Sequence, residues 1–161
     1  MRVGIGYDVH RLVAGLPLWL GGVEVPYHSG LQGHSDGDVI LHAIADALLG
    51  AAGESDIGSH FPSDDPAYKG AASASLLARV REIVSERGFA VNNVDAVLLA
   101  ERPRIAPYVD AMRSRIAGIL HIGPGDVSIK ATTNEGLGFI GRGEGMAAYA
   151  VASLVSLAQA P

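Results

Sequence analysis

The 161-residue chain contains no cysteine, which excludes a disulfide framework, a thiolate metal site and a cysteine nucleophile. Aromatic residues are only 6% of it, against 48% hydrophobic residues in all, so its apolar mass rests on small and aliphatic side chains. No apolar run approaches the ~18 residues of a membrane-spanning helix. Behind Arg2 there is no apolar h-region, so no secretory signal is expected and the cytoplasm is the default location. Basic runs are also missing. Twelve Lys and Arg against 17 Asp and Glu give a net charge of −5, without the electrostatic footprint of a nucleic-acid-binding protein. What the chain has instead is 24 alanines and 21 glycines. Glycine stands at roughly twice its usual share, and its residues cluster beside polar side chains rather than forming a linker.

The length suits one self-sufficient core, and no linker, repeat or low-complexity tract divides the chain, so residues 1–161 read as one domain. Val3, Ile5, Tyr7 and Val9 alternate with Gly4, Gly6 and Asp8, the pattern of a half-buried strand. Leu18-Trp19-Leu20 and Val23-Glu24-Val25 flank Gly21-Gly22, which signals a tight hairpin. A helical pattern runs from Asp36 to Gly50, with Asp36 or Asp38 as its cap and Gly50 or Gly53 as its end. Residues 53–70 read as one long loop, of the length that is usually functional or disordered. Further helices are expected over Ser73–Arg87 and from Pro107 to about Leu120, and strands over Val94–Ala100 and Val127–Ala131. Glu144–Leu157 is ambiguous: its alanines favour helix, and Tyr149, Val151 and Val155 on alternate positions favour strand. Alternating strands and helices indicate a two-layer α/β or α+β domain.

Four polar constellations punctuate this frame. Asp8 and His10, two apart on a strand, point to one face and suit Zn²⁺ or another borderline divalent cation. Alone, the pair reads more simply as a turn-capping or surface pair. Asp38, His42 and Asp46 are four apart and share a helix side among apolar positions, where burial is costly unless the groups pair or bind a metal. They suit a metal site and, as well, a capped helix whose His42 bonds a neighbouring aspartate. Asp8, His10 and His42 together would supply three ligands and leave one open position, the pattern of a catalytic zinc site. His28, His60 and His121 remain spare, with His28 and His121 in turn-like, solvated surroundings. The third constellation, Asp56 to Pro66, is turn-rich and solvated. The fourth follows Lys130 with Thr132 and Thr133, then places five glycines and Arg142 within residues 136–145. Exposed backbone N–H groups and a guanidinium fork suit an anion such as phosphate, although glycines also serve close packing of loops or subunits. The spacing is not that of a Walker loop.

Gly6-Tyr7-Asp8-Val9-His10, His34-Ser35-Asp36-Gly37-Asp38 through His42, Asp56-Ile57-Gly58, Asp65-Pro66-Ala67-Tyr68-Lys69-Gly70-Ala71 and Ala131-Thr132-Thr133 through Gly145 resemble, in order and spacing, the 2-C-methyl-D-erythritol 2,4-cyclodiphosphate synthase family over nearly the whole chain. The resemblance implies a lyase of the non-mevalonate isoprenoid pathway, cyclising 4-diphosphocytidyl-2-C-methyl-D-erythritol 2-phosphate with release of CMP. The nucleophile is then the substrate's own 2-phosphate, so the protein supplies positioning and charge neutralisation. It implies a mixed four-stranded sheet with helices on one face and a small hairpin, in a homotrimer with active sites between subunits. Glu144–Leu157 would be mainly strand in that fold.

By matching positions, Asp8, His10 and His42 would bind Zn²⁺, and Glu135 would hold Mg²⁺ or Mn²⁺ with the diphosphate. His34 and Thr133 would stabilise the transition state. Asp56, Ile57 and Gly58, with Phe61, Pro62, Ser63, Asp64 and Asp65, would serve the erythritol side, and Ser35 would also bind substrate. Ala100, Pro103, Arg104, Ile105 and Ala106 would meet cytidine and the CMP phosphate, while Thr132 and Asn134 complete the phosphate segment. Phe139, Arg142 and Glu144 would line an axial cavity that accepts isoprenoid diphosphates. Ser63-Asp64 stands where Asp-Thr is common, Asn134 where threonine is frequent, and Arg104 where lysine is usual. No cytidylyltransferase portion is expected. A metal-dependent phosphohydrolase using Asp8, His10, His42 and Asp46, or a non-catalytic metal- or nucleotide-binding trimer, are the competing readings.

Overall fold

The computed structural model of the protein describes residues 1–159. Strand β1 (Arg2–Ala14) pairs antiparallel with β7 (Gly145–Ser156), from Arg2 opposite Leu154 to Arg11 opposite Gly145. On its other side β7 pairs antiparallel with β5 (Phe89–Leu99), which pairs in parallel with β6 (Val127–Thr132). The short β4 (Ser29–Leu31) adds an edge strand along Leu12 to Ala14. The mixed sheet therefore has five strands, in the order β4-β1-β7-β5-β6, where four were expected. The fifth, Ser29–Leu31, escapes sequence pattern because it has neither alternation nor a two-glycine turn beside it of the kind that marks the Gly21-Gly22 hairpin. Hairpin strands β2 (Leu18–Leu20) and β3 (Val23–Val25) form about Gly21-Gly22 as expected.

The helical layer is α1 (Val39–Ala52), α3 (Ser73–Glu86) and α4 (Val109–Leu120), with one-turn helices α2 (Ile57–His60) and α5 (Gly138–Gly141) in the connections. Each outer helix buries one face: Leu76, Leu77, Val80 and Val84 on α3, and Met112, Ile116, Ala117 and Leu120 on α4. Helix α4 begins at Val109 rather than Pro107, behind a 3₁₀ turn over Ala106–Tyr108. The loop over residues 53–70 is built from local caps. Asp56 accepts the Ser59 N–H at 2.8 Å ahead of α2, and Asp65 accepts the Ala67 N–H at 2.9 Å ahead of a 3₁₀ turn.

The polarity of β1 is the reverse of what an amphipathic strand suggests. Val3, Ile5, Tyr7 and Val9 are exposed, Ile5 at 70%, while Gly4 and Gly6 face α1. A Cβ on Gly4 would overlap the backbone of Ala47, and one on Gly6 the carbonyl of Ala43, so the missing side chains let helix and strand backbones touch. Strand β7 follows the same logic. Met146, Ala148, Ala150, Ala152 and Leu154 are buried toward the helices, and Tyr149 and Val151 are exposed. Its alanines therefore reflect a close helix rather than a helical segment, and pairing with β1 and β5 on both sides outweighs their helix propensity.

At the start of α1, Asp38 is completely buried and accepts three backbone N–H groups: Leu41 at 3.1 Å, Gly21 at 2.9 Å and Gly22 at 2.7 Å. One carboxylate thus caps the helix and pins the hairpin turn to it. The helix ends at Gly53, in the left-handed conformation with φ 80°. No helix among the described residues is long and apolar enough to cross a membrane. Substituting Gly6→Ala should lower unfolding free energy by about 1–3 kcal/mol, the usual cost of forcing a methyl group into a packed interior. A urea midpoint equal to wild type would show that α1 is free to move away from β1.

Candidate metal centre and substrate cavities

Because residues two apart on β1 share a face, the glycine-lined side that admits α1 also presents Asp8 and His10 to it. His42 lies one turn into α1 and meets them. His10 Nε2 is 2.9 Å from Asp8 Oδ2, His42 Nδ1 is 3.0 Å from the same oxygen, and the two nitrogens are 3.3 Å apart. Ligands about 2.0–2.1 Å from a tetrahedral zinc ion stand roughly 3.3 Å from one another, so the three donors already form a triangle of suitable size. Among the described residues these three are the group that could hold a metal ion.

Electrostatics favour the same reading. Burial alone would raise the Asp8 carboxyl, but hydrogen bonds and charge from His10 and His42 outweigh it and lower the pKa to about 2. Asp8 is thereby kept ionised. Burial depresses His10, but Asp8 and the Gln32 backbone outweigh it, and its pKa is raised above the ordinary histidine value. An imidazole held at one nitrogen by a backbone partner presents the other to a cation. The same contacts that favour a proton on His10 would favour a cation in that position.

Asp38 and Asp46 do not join this group, although helical spacing puts them on the side of His42. Asp38 is spent on the three backbone bonds described above, and Asp46 accepts the Ile57 N–H at 2.8 Å. Asp36 does reach His42, through Ser73: Ser73 Oγ is 2.9 Å from His42 Nε2 and donates a short hydrogen bond to Asp36. Helical periodicity carries no signal for a contact between the start of α3 and the start of α1.

Two cavities hold most of the other expected site residues. One, of about 150 Å³, is lined by His10, His42, His34 and Ser35 together with Ile57, Gly58, Phe61, Pro62 and Ser63. Asp56, Asp64 and Asp65 lie outside that lining and are exposed, two of them being the caps already described. The other, of about 600 Å³, joins Ala100 and Pro103 to Ala106 with Thr132 and Thr133. Glu101, inside the expected 100–106 segment, also lines it, with a bond the sequence did not signal. Its Oε1 accepts the N–H of Asn134 at 2.8 Å and of Gly136 at 3.4 Å, tying the 132–136 turn to the 100–106 segment. Between those amides Glu135 sits at φ +53°, a sparsely populated conformation for a residue with a side chain. Thr133 Oγ1 accepts the Glu135 N–H at 3.2 Å.

The two cavities are not brought together within one chain. Thr132 lies opposite Leu99, Leu99 opposite Ala147, and Ala147 opposite Val9, so three strand spacings of roughly 14 Å in total separate Thr132 from the metal donors' strand. His34 and Thr133 accordingly belong to different cavities, and Glu135 is no part of the donor triangle. The glycine-rich residues 136–145 line neither of these cavities; they form α5 and the turn into β7. Phe139 lines a third cavity with His10, Arg11 and Glu144, while the exposed Arg142 pairs with Glu144 at 2.9 Å. The spare His121 ends α4 in the left-handed conformation, and His60 lies 3.3 Å from Glu54.

A family model described as the YgbB family matches residues 1–155. The chain belongs to the YgbB family. A protein of Pelotomaculum thermopropionicum named 2-C-methyl-D-erythritol 2,4-cyclodiphosphate synthase is 59% identical over 160 residues, 99% of each chain. In structure, the YgbB chain is similar to the bifunctional IspDF from Campylobacter jejuni, with a TM-score of 0.93 and 41% identity over 98% of this chain; it spans 43% of that one. It is also similar to the CDP complex of IspF from Plasmodium falciparum, with a TM-score of 0.84 and 33% identity over 96% of both chains.

The raised His10 pKa carries a pH prediction for the YgbB chain. A cation must displace the proton from His10, so Zn²⁺ affinity should hold above the raised value and fall as pH drops through it, beginning above the ordinary ~6.5. Calorimetric titrations in buffers of different ionisation enthalpy should show proton release that grows on acidification. Affinity unchanged from about pH 8 to 6 would contradict the donor assignment.

Proposed function

We propose that this chain is a 2-C-methyl-D-erythritol 2,4-cyclodiphosphate synthase acting in non-mevalonate isoprenoid precursor biosynthesis. It cyclises 4-diphosphocytidyl-2-C-methyl-D-erythritol 2-phosphate. An oxygen of the 2-phosphate forms a bond to the β-phosphorus, the bond from that phosphorus to the bridging oxygen of the cytidine side breaks, and CMP leaves with the electron pair. Substrate atoms are conserved in the cyclic diphosphate and CMP, and no water or protein nucleophile is consumed. The observation that carries this reading is the Asp8–His10–His42 triangle opening onto the cavity of His34, Ile57, Gly58 and Phe61, in a YgbB chain.

Asp8, His10 and His42 would hold Zn²⁺, and Glu135 would hold Mg²⁺ or Mn²⁺ at the diphosphate. Bound there, such cations supply Lewis acidity and a template for the two phosphates. The chain's own residues do the rest. Ile57, Gly58 and Phe61 shape the apolar side of the erythritol pocket, with Ser35, Pro62 and Ser63 beside them, while Asp56, Asp64 and Asp65 stand on its exposed loop. Residues 100–106 take cytidine, with Arg104 presenting a planar guanidinium to phosphate. The CDP bound by the Plasmodium falciparum relative supports a cytidine nucleotide as the kind of ligand. Thr132, Thr133 and Asn134 lead into Glu135 at the end of β6, and His34 and Thr133 stabilise developing phosphate charge. The phosphohydrolase reading loses its fourth ligand, because Asp46 is engaged by Ile57.

A homotrimer brings the halves together, with the 100–106 and 132–135 cavity of one subunit against the metal cavity of the next. The separation of the two cavities within one chain supports this, as does the exposed apolar sheet face of Val3, Ile5, Tyr7, Val9, Tyr149 and Val151, which a lone subunit would leave wet. Phe139, Arg142 and Glu144 then lie toward the axis, where an isoprenoid diphosphate fits the guanidinium and the aromatic ring.

Phosphorus NMR of the incubated substrate tests the reaction: a cyclic diphosphate and CMP are expected, and inorganic phosphate in their place rejects the synthase. Binding of zinc and CMP with no CMP release would instead leave a non-catalytic module. His42→Ala should remain folded while losing zinc and turnover; full zinc by elemental analysis would refute its ligand role. Ile5→Glu should shift the sedimentation mass from trimer toward monomer, and an unchanged mass would reject this face as the interface. Arg142→Glu should weaken isoprenoid diphosphate binding more than catalysis, and an unchanged titration counts against the axial site.

A further inference from the structure

Ser73 is the first residue of α3, yet it is 99% buried and makes no cap for its own helix. Its polar atoms go elsewhere. The Ser73 N–H, one of the orphan donors at the start of α3, is given to Asp36 Oδ2 at 3.0 Å, 37 positions back along the chain. Its hydroxyl makes a very short contact with Asp36 Oδ1, and the same Oγ lies 2.9 Å from His42 Nε2 and 3.1 Å from Ser35 Oγ. Asp36 Oδ1 also takes the Asp38 N–H at 3.2 Å, which ties the carboxylate to the start of α1.

Counting protons gives this cluster a direction. An ionised carboxylate only accepts, so the single Ser73 hydroxyl proton is committed to Asp36. Ser73 Oγ can then only accept from the imidazole, which places a hydrogen on His42 Nε2 wherever the two are bonded. Ser35 fits the same direction. Its oxygen lies 3.0 Å from His42 Nε2 as well as 3.1 Å from Ser73 Oγ and accepts the Gly37 N–H at 3.3 Å, so with its hydroxyl proton turned to Ser73 it shares the Nε2 hydrogen. Holding the hydrogen on Nε2 leaves Nδ1, which faces Asp8 and His10 at 3.0 and 3.3 Å and hydrogen-bonds Asp8 without a cation, as the atom whose lone pair a bound cation would take once it displaces that hydrogen. The hydrogen bond on the far nitrogen thus selects the tautomer that can ligate a cation, and it also fixes the ring's rotation.

We propose that Ser73 and Asp36 are positioning residues of the metal centre, a buried hydroxyl–carboxylate relay that sets the tautomer and orientation of His42. Neither touches the expected substrate cavity as a ligand, and both act through His42. The inference rests on the reading of Asp8, His10 and His42 as cation ligands, but not on the cyclisation reaction. Outer-shell partners of this kind typically contribute 10- to 100-fold in metal affinity.

The test is competition between the protein and a chromophoric chelator for Zn²⁺, with no substrate present. Ser73→Ala and Asp36→Asn should each weaken zinc roughly 10-fold or more while keeping the wild-type circular dichroism, and Ser73→Thr, which retains the hydroxyl, should recover most of the affinity. In the zinc-loaded wild type the His42 Nε2–H should appear as a proton resonance protected from solvent exchange, and Ser73→Ala should expose it. A merely structural role would change melting without moving zinc affinity or that resonance. Zinc affinity within about twofold of wild type in either folded variant overturns the relay, and so does failure of both variants to fold. Absence of zinc binding by the wild type would sink the ligand reading itself, whereas a failed cyclisation assay leaves this test standing.

Discussion

The backbone contact between α1 and β1 sets the geometry on which everything else depends. Gly4 and Gly6 leave no side chains on the face of β1 that meets α1, and Ala43 and Ala47 present little more than backbone in return. A strand and a helix this close bring the next residues on the same strand face, Asp8 and His10, within hydrogen-bond range of an imidazole one turn into the helix. Bulkier side chains in the glycine positions would hold the elements farther apart and leave the three donors unable to share one cation. The abundance of alanine and glycine is therefore a packing requirement of the site. The apolar residues displaced from the inner face, Val3, Ile5, Tyr7 and Val9, appear on the outer one and create a surface suited to another subunit.

The aspartates at the start of α1 show how buried polar groups divide the work. Asp38 has no exposed surface and spends its oxygens on three backbone N–H groups, which fixes the hairpin, the helix start and hence the height of His42. Asp36, two residues earlier, reaches instead across to Ser73 and through it to His42. Asp46 anchors α2, whose first residues line the cavity beside the donors. Three carboxylates of similar appearance in the sequence thus serve a cap, a metal-site support and a loop anchor. Leaving any of them unpaired in this interior would be costly, and that cost gives each a single arrangement.

The second cavity depends on an analogous economy at the far edge of the sheet. Glu101 is a carboxylate in a pocket otherwise suited to phosphate, next to Arg102 and Arg104. Its charge is directed at the amides of Asn134 and Gly136, so it shapes the turn that holds Glu135 in the left-handed region rather than facing the open pocket. The sheet keeps this turn and the metal donors at the same end but three strands apart. The proposed homotrimer, with its site between two subunits, would answer that separation.

Much of this was legible before any coordinates. Alternation and turn chemistry specify β1, the Gly21-Gly22 hairpin, α1 with Asp36 or Asp38 as its cap, α3 and the Val127 strand, because short-range periodicity and capping are local physics. The D-x-H pair and His42 could be named as candidate ligands, and the family resemblance could be drawn from motif order. Local pattern misled where tertiary neighbours decide. Helical spacing grouped Asp38 and Asp46 with His42, but Asp38 precedes the helix with extended ψ of 94° and turns to the hairpin. The alanines of Gly145–Ser156 spoke for helix until pairing on both sides made them the inner face of a strand. Ser73 and Glu101 carried no signal, since their partners lie more than thirty residues away and no spacing rule connects them. By itself the sequence determined most of the longer elements, the candidate ligand types and the family resemblance. Only the tertiary structure decided which face of β1 is buried, which carboxylate supports His42 and which residues share a cavity, because those outcomes depend on how closely two backbones approach.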